Sequence, residues 1–373
     1  MAGGGRLNDR PYLLGALRRD YLLWILLAAL VVLSVLAPRE IPHYPALVNW
    51  PTVGTLLGLM ILTKGLELSG WLHHVGRQLL ARVHTERGLA LFLVVGSALL
   101  AMFLTNDVAL FISVPLTLEL GALARLPLRR LVMFEAFAVN TGALLTPIGN
   151  PQNIFLWQLS QVKFGAFVLH MLPAFVIAGA CLLVLVVWGF AAKRVHFDPQ
   201  AVAVPVRRSL LFASALLYIP FLVLSDLHYA AAGLALVGMV FILGFRSTLR
   251  RIEWPLLLIL VLMFIDLGRL AQYPVLAYVN LAERGSLYVA GVISSQVISN
   301  VPTSILLSHY SRDWGTIAWA VDVGGFGMFS ASLANLIALR LGRQRGALLA
   351  FHAWSLPFCV CVAGLLWVWL RFA

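Results

Sequence analysis

Twelve apolar segments follow one another along this sequence, at about 21–37, 46–63, 88–104, 108–122, 131–161, 165–190, 209–224, 229–245, 254–270, 286–309, 315–339 and 347–370. The breaks between them are short and rich in arginine. Of the 373 residues, 61% are hydrophobic and 11% charged, so a water-exposed shell cannot be built around them. The solvent is a bilayer, and the fold class is an all-α polytopic membrane protein. A net charge of +12 would suggest nucleic acid in a soluble domain, but here the Arg and Lys residues sit in the breaks, where they act as topology signals. No nucleic-acid partner is expected; the partner is lipid. Cys181, Cys359 and Cys361 lie inside apolar segments without metal or redox spacing and read as small core residues. Arg6, Arg10, Arg18 and Arg19 precede the run Tyr21–Ala37, which is longer than a signal-peptide core and is followed by Pro38; it reads as a retained first span.

Two regions resist reading as simple crossings, which need roughly 20 helical residues. Residues 88–122 hold two apolar arms around "TND", Thr105 to Asp107, with no hydrophilic loop between them. Residues 286–309 are interrupted near their centre by "SNVP", Ser299 to Pro302. Both are expected to be re-entrant hairpins with tips inside the membrane, the first because its arms are short. Charge supports the second. With both hairpins returning and the N-terminus in the cytoplasm, 21 of the 27 Lys and Arg residues fall inside; a single crossing at 286–309 would move Arg340, Arg343 and Arg345 outside. Arg39, Lys163, Arg269, Arg284, Arg312 and Arg371 are then external, with Asp266 and Asp322 expected close to that interface. Leu66–Gly88 is amphipathic and is expected to lie along the cytoplasmic surface.

The sequence also repeats itself. Asn106 matches Asn300 at an offset of 194, and "VNTGALLTPIGNPQN" from Val139 matches "VDVGGFGMFSASLAN" from Val321 at 182. "LM" with Gly65 matches "LM" with Gly268, and Phe167 followed by "LP" matches Phe351 followed by "LP". In the charge-derived topology the first unit starts outside and the second inside. Inverted repeats with interrupted helices are the mark of a secondary transporter with its site at the midplane.

Each interruption exposes helix ends. Thr105, Asn106 and Asp107 suit the N-cap of the arm that follows them, as do Ser299 and Asn300 in the second tip. The segment 131–161 is expected to break at Gly142, Pro147, Gly149 and Pro151, with Asn150 capping its second half, and its partner at Gly324, Gly325 and Gly327. Gln152 and Asn153, with Ser330, Ser332 and Asn335 opposite, would then face the tips. The substrate-binding set is Thr105, Asn106, Asn150, Gln152, Asn153, Ser299, Asn300, Ser330, Ser332 and Asn335. It holds neutral donors, acceptors and helix ends, a set that serves an anion or a cation. Ionisable groups at this depth are functional candidates, and Asp107, Glu135 and Asp322 are expected to carry the coupling ion. A sodium ion would sit near Asn106, Asp107 and Asn300, or a proton would take its place; no other cofactor is expected.

At these residues the sequence resembles the ion transporter superfamily, in particular its arsenite permease and sodium/proton antiporter branch, with the citrate-transporter-like proteins and the divalent anion/sodium symporters. "TNDVALFISVP" is similar to that branch's first tip, "LLTPIGNPQN" to the symporters' "IGTPPN" loop and "ISNVP" to the second tip. The resemblance implies a homodimer built on a scaffold domain and a transport domain that moves like an elevator. Placed on this chain, scaffold would be 1–87 and 191–284, and transport 88–190 and 285–373. The expected function is an ion-coupled secondary transporter of the inner membrane, moving a small carboxylate or oxyanion; a sodium/proton antiporter is the alternative. An enzyme is disfavoured by the lack of HExxH and GxSxG motifs. Two tips meeting at the midplane suit an occluded site better than a channel.

Overall fold

The computed structural model describes residues 21–72, 74, 83, 85–123, 126–195, 205–272, 280–342 and 346–372. Its long elements are α1 (Tyr21–Leu36), α2 (Trp50–Leu68), α3 (Glu86–Phe103), α4 (Asn106–Leu123), α5 (Leu128–Leu145), α6 (Pro151–Ser160), α7 (Phe164–Gly189) and α8 (Arg208–Asp226). They continue with α9 (Ala230–Gly244), α10 (Trp254–Leu270), α11 (Arg284–Ile298), α12 (Asn300–Tyr310), α13 (Trp314–Gly324), α14 (Leu333–Gly342) and α15 (Ala347–Phe372). By length and composition α3, α7, α8 and α15 are each able to cross a membrane, and α1 with the turn after it, bent by 119°, makes a fifth candidate. The chain is a multi-pass membrane protein. Residues 73, 75–82 and 84 of the amphipathic stretch 66–88 lie outside the described residues.

Helices α3 and α4 form the first hairpin. Their arms have 18 residues each, so the short arms expected from the sequence are not found. The contacts fix the direction of the two arms. Along α3, Ala98 lies against Gly142 of α5, and the Met102 carbonyl accepts from Thr146 Oγ1 at 2.8 Å, so α3 and α5 run the same way. Along α4, Asn106 bonds Asn140 and Thr117 bonds Glu135, so α4 runs back. The tip stops where α5 ends, about 27 Å from the base, whereas α7 with 26 residues covers about 39 Å.

The second hairpin repeats this plan from the opposite end. Gly291 of α11 meets Ala320 and Ser295 meets Gly324, so α11 runs with α13. Its arms have 15 and 11 residues. At the base of the first hairpin, Arg87 Nε donates to Phe190 O and Arg130 to Gly189 O, both at the end of α7. At the base of the second, Trp314 packs on His170 near the start of α7, ring centres 4.8 Å apart. The hairpins therefore enter the bundle from opposite ends of one helix. With the native cysteines replaced, cysteines placed at the exposed Arg129 and Arg312 are expected to react with a membrane-impermeant maleimide from opposite faces of the membrane; labelling of both from one face would contradict this arrangement.

Both broken helices have the predicted interruption, at Thr146–Asn150 and at Gly325–Ser332. Gly142 and Gly324 do not break them. They sit inside α5 and at the end of α13, and a Cβ there would strike the Ala98 carbonyl and, at 2.6 Å, Ser295 Cβ. Their role is close approach of hairpin and broken helix. Helix α2 packs on α8 and α9, which pack on each other, and also on α6 and α4; α10 packs on α1, α2 and α12.

Candidate functional site

The two tips dock on the two breaks through matching bonds. The Asn106 backbone N–H donates to Gly149 O at 2.8 Å, and Asn300 N–H to Ala331 O at 2.9 Å. Each asparagine then accepts from the next backbone N–H, Asp107 at 3.0 Å and Val301 at 2.9 Å, holding the first turn of α4 and α12. Ser299 stands between α11 and α12 at φ 73°, a left-handed conformation whose cost is offset by the bonds around it.

The breaks are braced alike. Asn153 Nδ2 reaches the Ala143 and Thr146 carbonyls, both at 3.3 Å, and Asn335 Nδ2 reaches Gly325 and Met328 at 2.9 and 3.2 Å, the same positions displaced by 182. These amides satisfy carbonyls that a helix end leaves without partners. Asn150 Oδ1 caps α6 by accepting from Asn153 N–H at 2.8 Å, as the sequence predicted.

Four further bonds cross between the repeats. Asp322 Oδ1 accepts from Asn150 Nδ2 at 3.0 Å and Gln152 Nε2 at 2.9 Å. Its counterpart by the 182 offset is Asn140, whose Oδ1 accepts from Ser332 Oγ at 3.1 Å and Asn106 Nδ2 at 3.2 Å, while its Nδ2 donates to Asn335 Oδ1 at 2.9 Å. Ser332 is the counterpart of Asn150. One bond of the clasp therefore corresponds on the two sides, Asn150 to Asp322 and Ser332 to Asn140, with a carboxylate in one half and an amide in the other. Sequence reasoning missed Asn140, although its alignment with Asp322 was there to be read.

A cavity of about 40 Å³ lies where the tips meet. Asn106, Asp107, Gln152, Ser299, Asn300 and Ser332 line one wall; Leu56 of α2 and Leu256, Ile259, Leu260 and Met263 of α10 form the other. It has room for roughly two or three water-sized particles, the size of an ion or a very small solute. No lysine or arginine lines it. Asp107 Oδ1 and Asp322 Oδ2 are buried without partners, on groups 4% and 3% exposed.

Not every predicted residue reaches this cavity. Thr105 is buried in the tip, where its carbonyl accepts from Ala109 N–H. Asn150 touches the site through Asp322, and Asn153 and Asn335 brace the breaks. Ser330 turns away to Gln296 O at 3.2 Å. Glu135 lies off the cavity along α5, held by Thr117 Oγ1 at 2.7 Å. Asn140→Ala removes three hydrogen bonds and strands Asn335 Oδ1, a loss of about 2–4 kcal/mol. Its melting temperature is expected to fall well below that of Cys359→Ala; equal values would show that the clasp carries no load.

The sequence model of a family described as citrate transporter, CitMHS, matches residues 12–324. The chain belongs to the citrate transporter family. Inner membrane protein YbiR of Escherichia coli (strain K12) is 42% identical to this family member over 358 residues, covering 94% of this chain and 95% of that one. An uncharacterized transporter of Methanocaldococcus jannaschii is 28% identical over 84% of this chain and 86% of its own length. The silicon efflux transporter LSI3 of Oryza sativa subsp. japonica is 34% identical over 129 residues, 35% of this chain and 27% of that protein. The citrate transporter family member described here is a membrane transporter and not an enzyme.

Proposed function

We propose that this protein is a cation-coupled secondary transporter of a small oxyanion or oxyacid, bound between the Asn106 and Asn300 tips. The observation that carries the proposal is a pair of partly unpartnered carboxylates, Asp107 in the wall of a cavity without a basic side chain and Asp322 just behind it, bonded to the cavity residue Gln152. An anion entering beside two buried carboxylates is strongly repelled unless protons or sodium ions neutralise them first. Coupling is then a consequence of charge: solute binds after the cation, and neither moves well alone. The names of relatives fit such solutes, citrate for the family and silicon for the rice protein.

The asparagine amides, the Ser299 and Ser332 hydroxyls and the N-termini of α4 and α12 supply the donors for oxygen atoms. The apolar wall of α2 and α10 offers the tips a surface with little to hold them, which suits a transport unit (88–190 and 285–373) sliding on a scaffold (1–87 and 191–284). A membrane orientation with the N-terminus in the cytoplasm, an inner-membrane location and a homodimer complete this reading. The runner-up is a sodium/proton antiporter, favoured by the same carboxylates, in which Asp107 binds the two ions in turn.

The test is thermal stabilisation of the purified protein by citrate and silicate, with and without sodium, at acid and alkaline pH. Stabilisation that needs sodium or acid pH is expected. Stabilisation by sodium alone, with neither solute adding to it, would favour the antiporter, and stabilisation by the solutes regardless of sodium and pH would contradict coupling through the carboxylates.

A further inference from the structure

Buried side-chain oxygens without hydrogen-bond partners are unequally shared between the two repeats. In the first, Ser97 Oγ on α3, Asp107 Oδ1 and Ser113 Oγ on α4, and Glu135 Oε2 on α5 are all of this kind. Carried across by 194 for the hairpin and 182 for the broken helix, those positions are Gly291, Val301, Leu307 and Ile317. Leu307 and Ile317 are buried in the core. Apart from Asp322, behind Gln152, the second hairpin and the first half of its broken helix have no such oxygen among the described residues. Each one costs about 1–3 kcal/mol. The chain thus holds an apolar version of the same bundle beside one with four unsatisfied polar groups, and packing does not require them.

They are also arranged in order. Ser113 and Thr117, four residues apart, share the face of α4 that begins at Asn106, and Asp107 stands beside Asn106 at the tip, about a third of a turn round the helix from Ser113. From the tip to Thr117 the helix descends about 16 Å. There Thr117 Oγ1 donates to Glu135 Oε1, and Arg130 lies beyond it at the basic end of the bundle. Among the described residues Glu135 has no ion-pair partner. Of the charged or titratable groups on the helices packed against α5, Arg87 of α3 is bonded to Phe190 O, His352 of α15 accepts from Phe329 N–H, Arg340 of α14 is exposed, and His170 is at the far end of α7.

We propose that Glu135 is a second proton-binding residue, joined to Asp107 through the hydroxyls of Ser113 and Thr117 with water between them, and that protons pass between the site and the basic end through the first hairpin alone. The proton leaves the Asp107 carboxyl, moves along hydroxyls and water, and ends on the Glu135 carboxylate, leaving Asp107 ionised and Glu135 neutral. This rests on the cation-coupled reading and makes the proton its cation.

Two measurements on the full chain test it. Infrared difference spectra between acid and alkaline pH should contain a carboxylic-acid C=O band that disappears in Glu135→Gln; a wild-type spectrum unchanged by that substitution overturns the proposal. In proteoliposomes with an imposed proton gradient, Glu135→Gln and Ser113→Ala should each slow accumulation of citrate or silicate at least ~10-fold while equal-concentration exchange persists. Ser113→Ala should melt no lower than wild type, since it deletes an unpartnered hydroxyl. If both variants accumulate solute like wild type while Asp107→Asn does not, the proposal falls and the cavity assignment stands. Accumulation by wild type with sodium alone would overturn both the proton form of the reading and the proposal.

Discussion

Asn106→Ala and Asn300→Ala each abolish uptake in reconstituted vesicles while the protein stays folded. Each asparagine fixes the first turn of the helix that follows its tip and lines the cavity. Alanine keeps the backbone bonds from Asn106 to Gly149 and from Asn300 to Ala331, so the tips stay docked. What is lost is side-chain contact. Two contacts to a charged ligand at about 1.5–3 kcal/mol each correspond to roughly a hundredfold or more in affinity. Asn106→Ala also frees one acceptor site on Asn140, whereas among the described residues Asn300 Nδ2 has no side-chain acceptor of this kind, so Asn300→Ala should be the less destabilising of the two. Initial rates of citrate and silicate uptake, with melting temperature as the fold control, decide the matter. Near-normal rates in either variant would remove the two-tip site.

Asp107→Asn abolishes accumulation against a gradient and spares downhill exchange. The substitution keeps the shape and, because asparagine starts a helix about as well as aspartate, it keeps α4. It removes the charge that must be neutralised before an anion enters. With Asp107 Oδ1 unpartnered, no protein contact of that atom is lost, so stability should be unchanged or higher. Solute then binds without waiting for a cation. If the variant accumulates solute as wild type does, Asp107 serves only to start α4, and coupling rests on Asp322.

The reach of sequence reasoning can be seen residue by residue. Thr105–Asp107 and Ser299–Pro302 were legible because polar groups and proline in an apolar run have few structural uses, and Asn150 because its capping chemistry is local. The offsets of 182 and 194, weak as identities, proved to describe bonds: Asn153 and Asn335 reach corresponding carbonyls, and Gly149 and Ala331 accept from corresponding tips. Glycine misled. Gly142 looked like a helix breaker, but the hairpin packs so closely on α5 that a helix-interior glycine is the residue that fits. The first arm was underestimated because hydropathy does not register the capped turn at Thr85, whose Oγ1 accepts from Gly88 N–H at 3.0 Å and starts α3 before the apolar run. Asn140 carries no signal of its own because it lies inside an unbroken stretch of α5, and Glu135 was grouped with the site because depth along a helix says nothing about which face meets the cavity.

The most direct test of cation-coupled transport is accumulation of labelled citrate or silicate by the wild-type protein in proteoliposomes, under a proton gradient, a sodium gradient, both or neither. The two carboxylates, one in and one just behind the wall of a cavity without a basic side chain, predict that at least one of these solutes rises above its external concentration when a cation gradient is imposed and returns to equilibrium when it is collapsed. Solute flux that follows its own gradient alone, indifferent to protons and sodium, would contradict it.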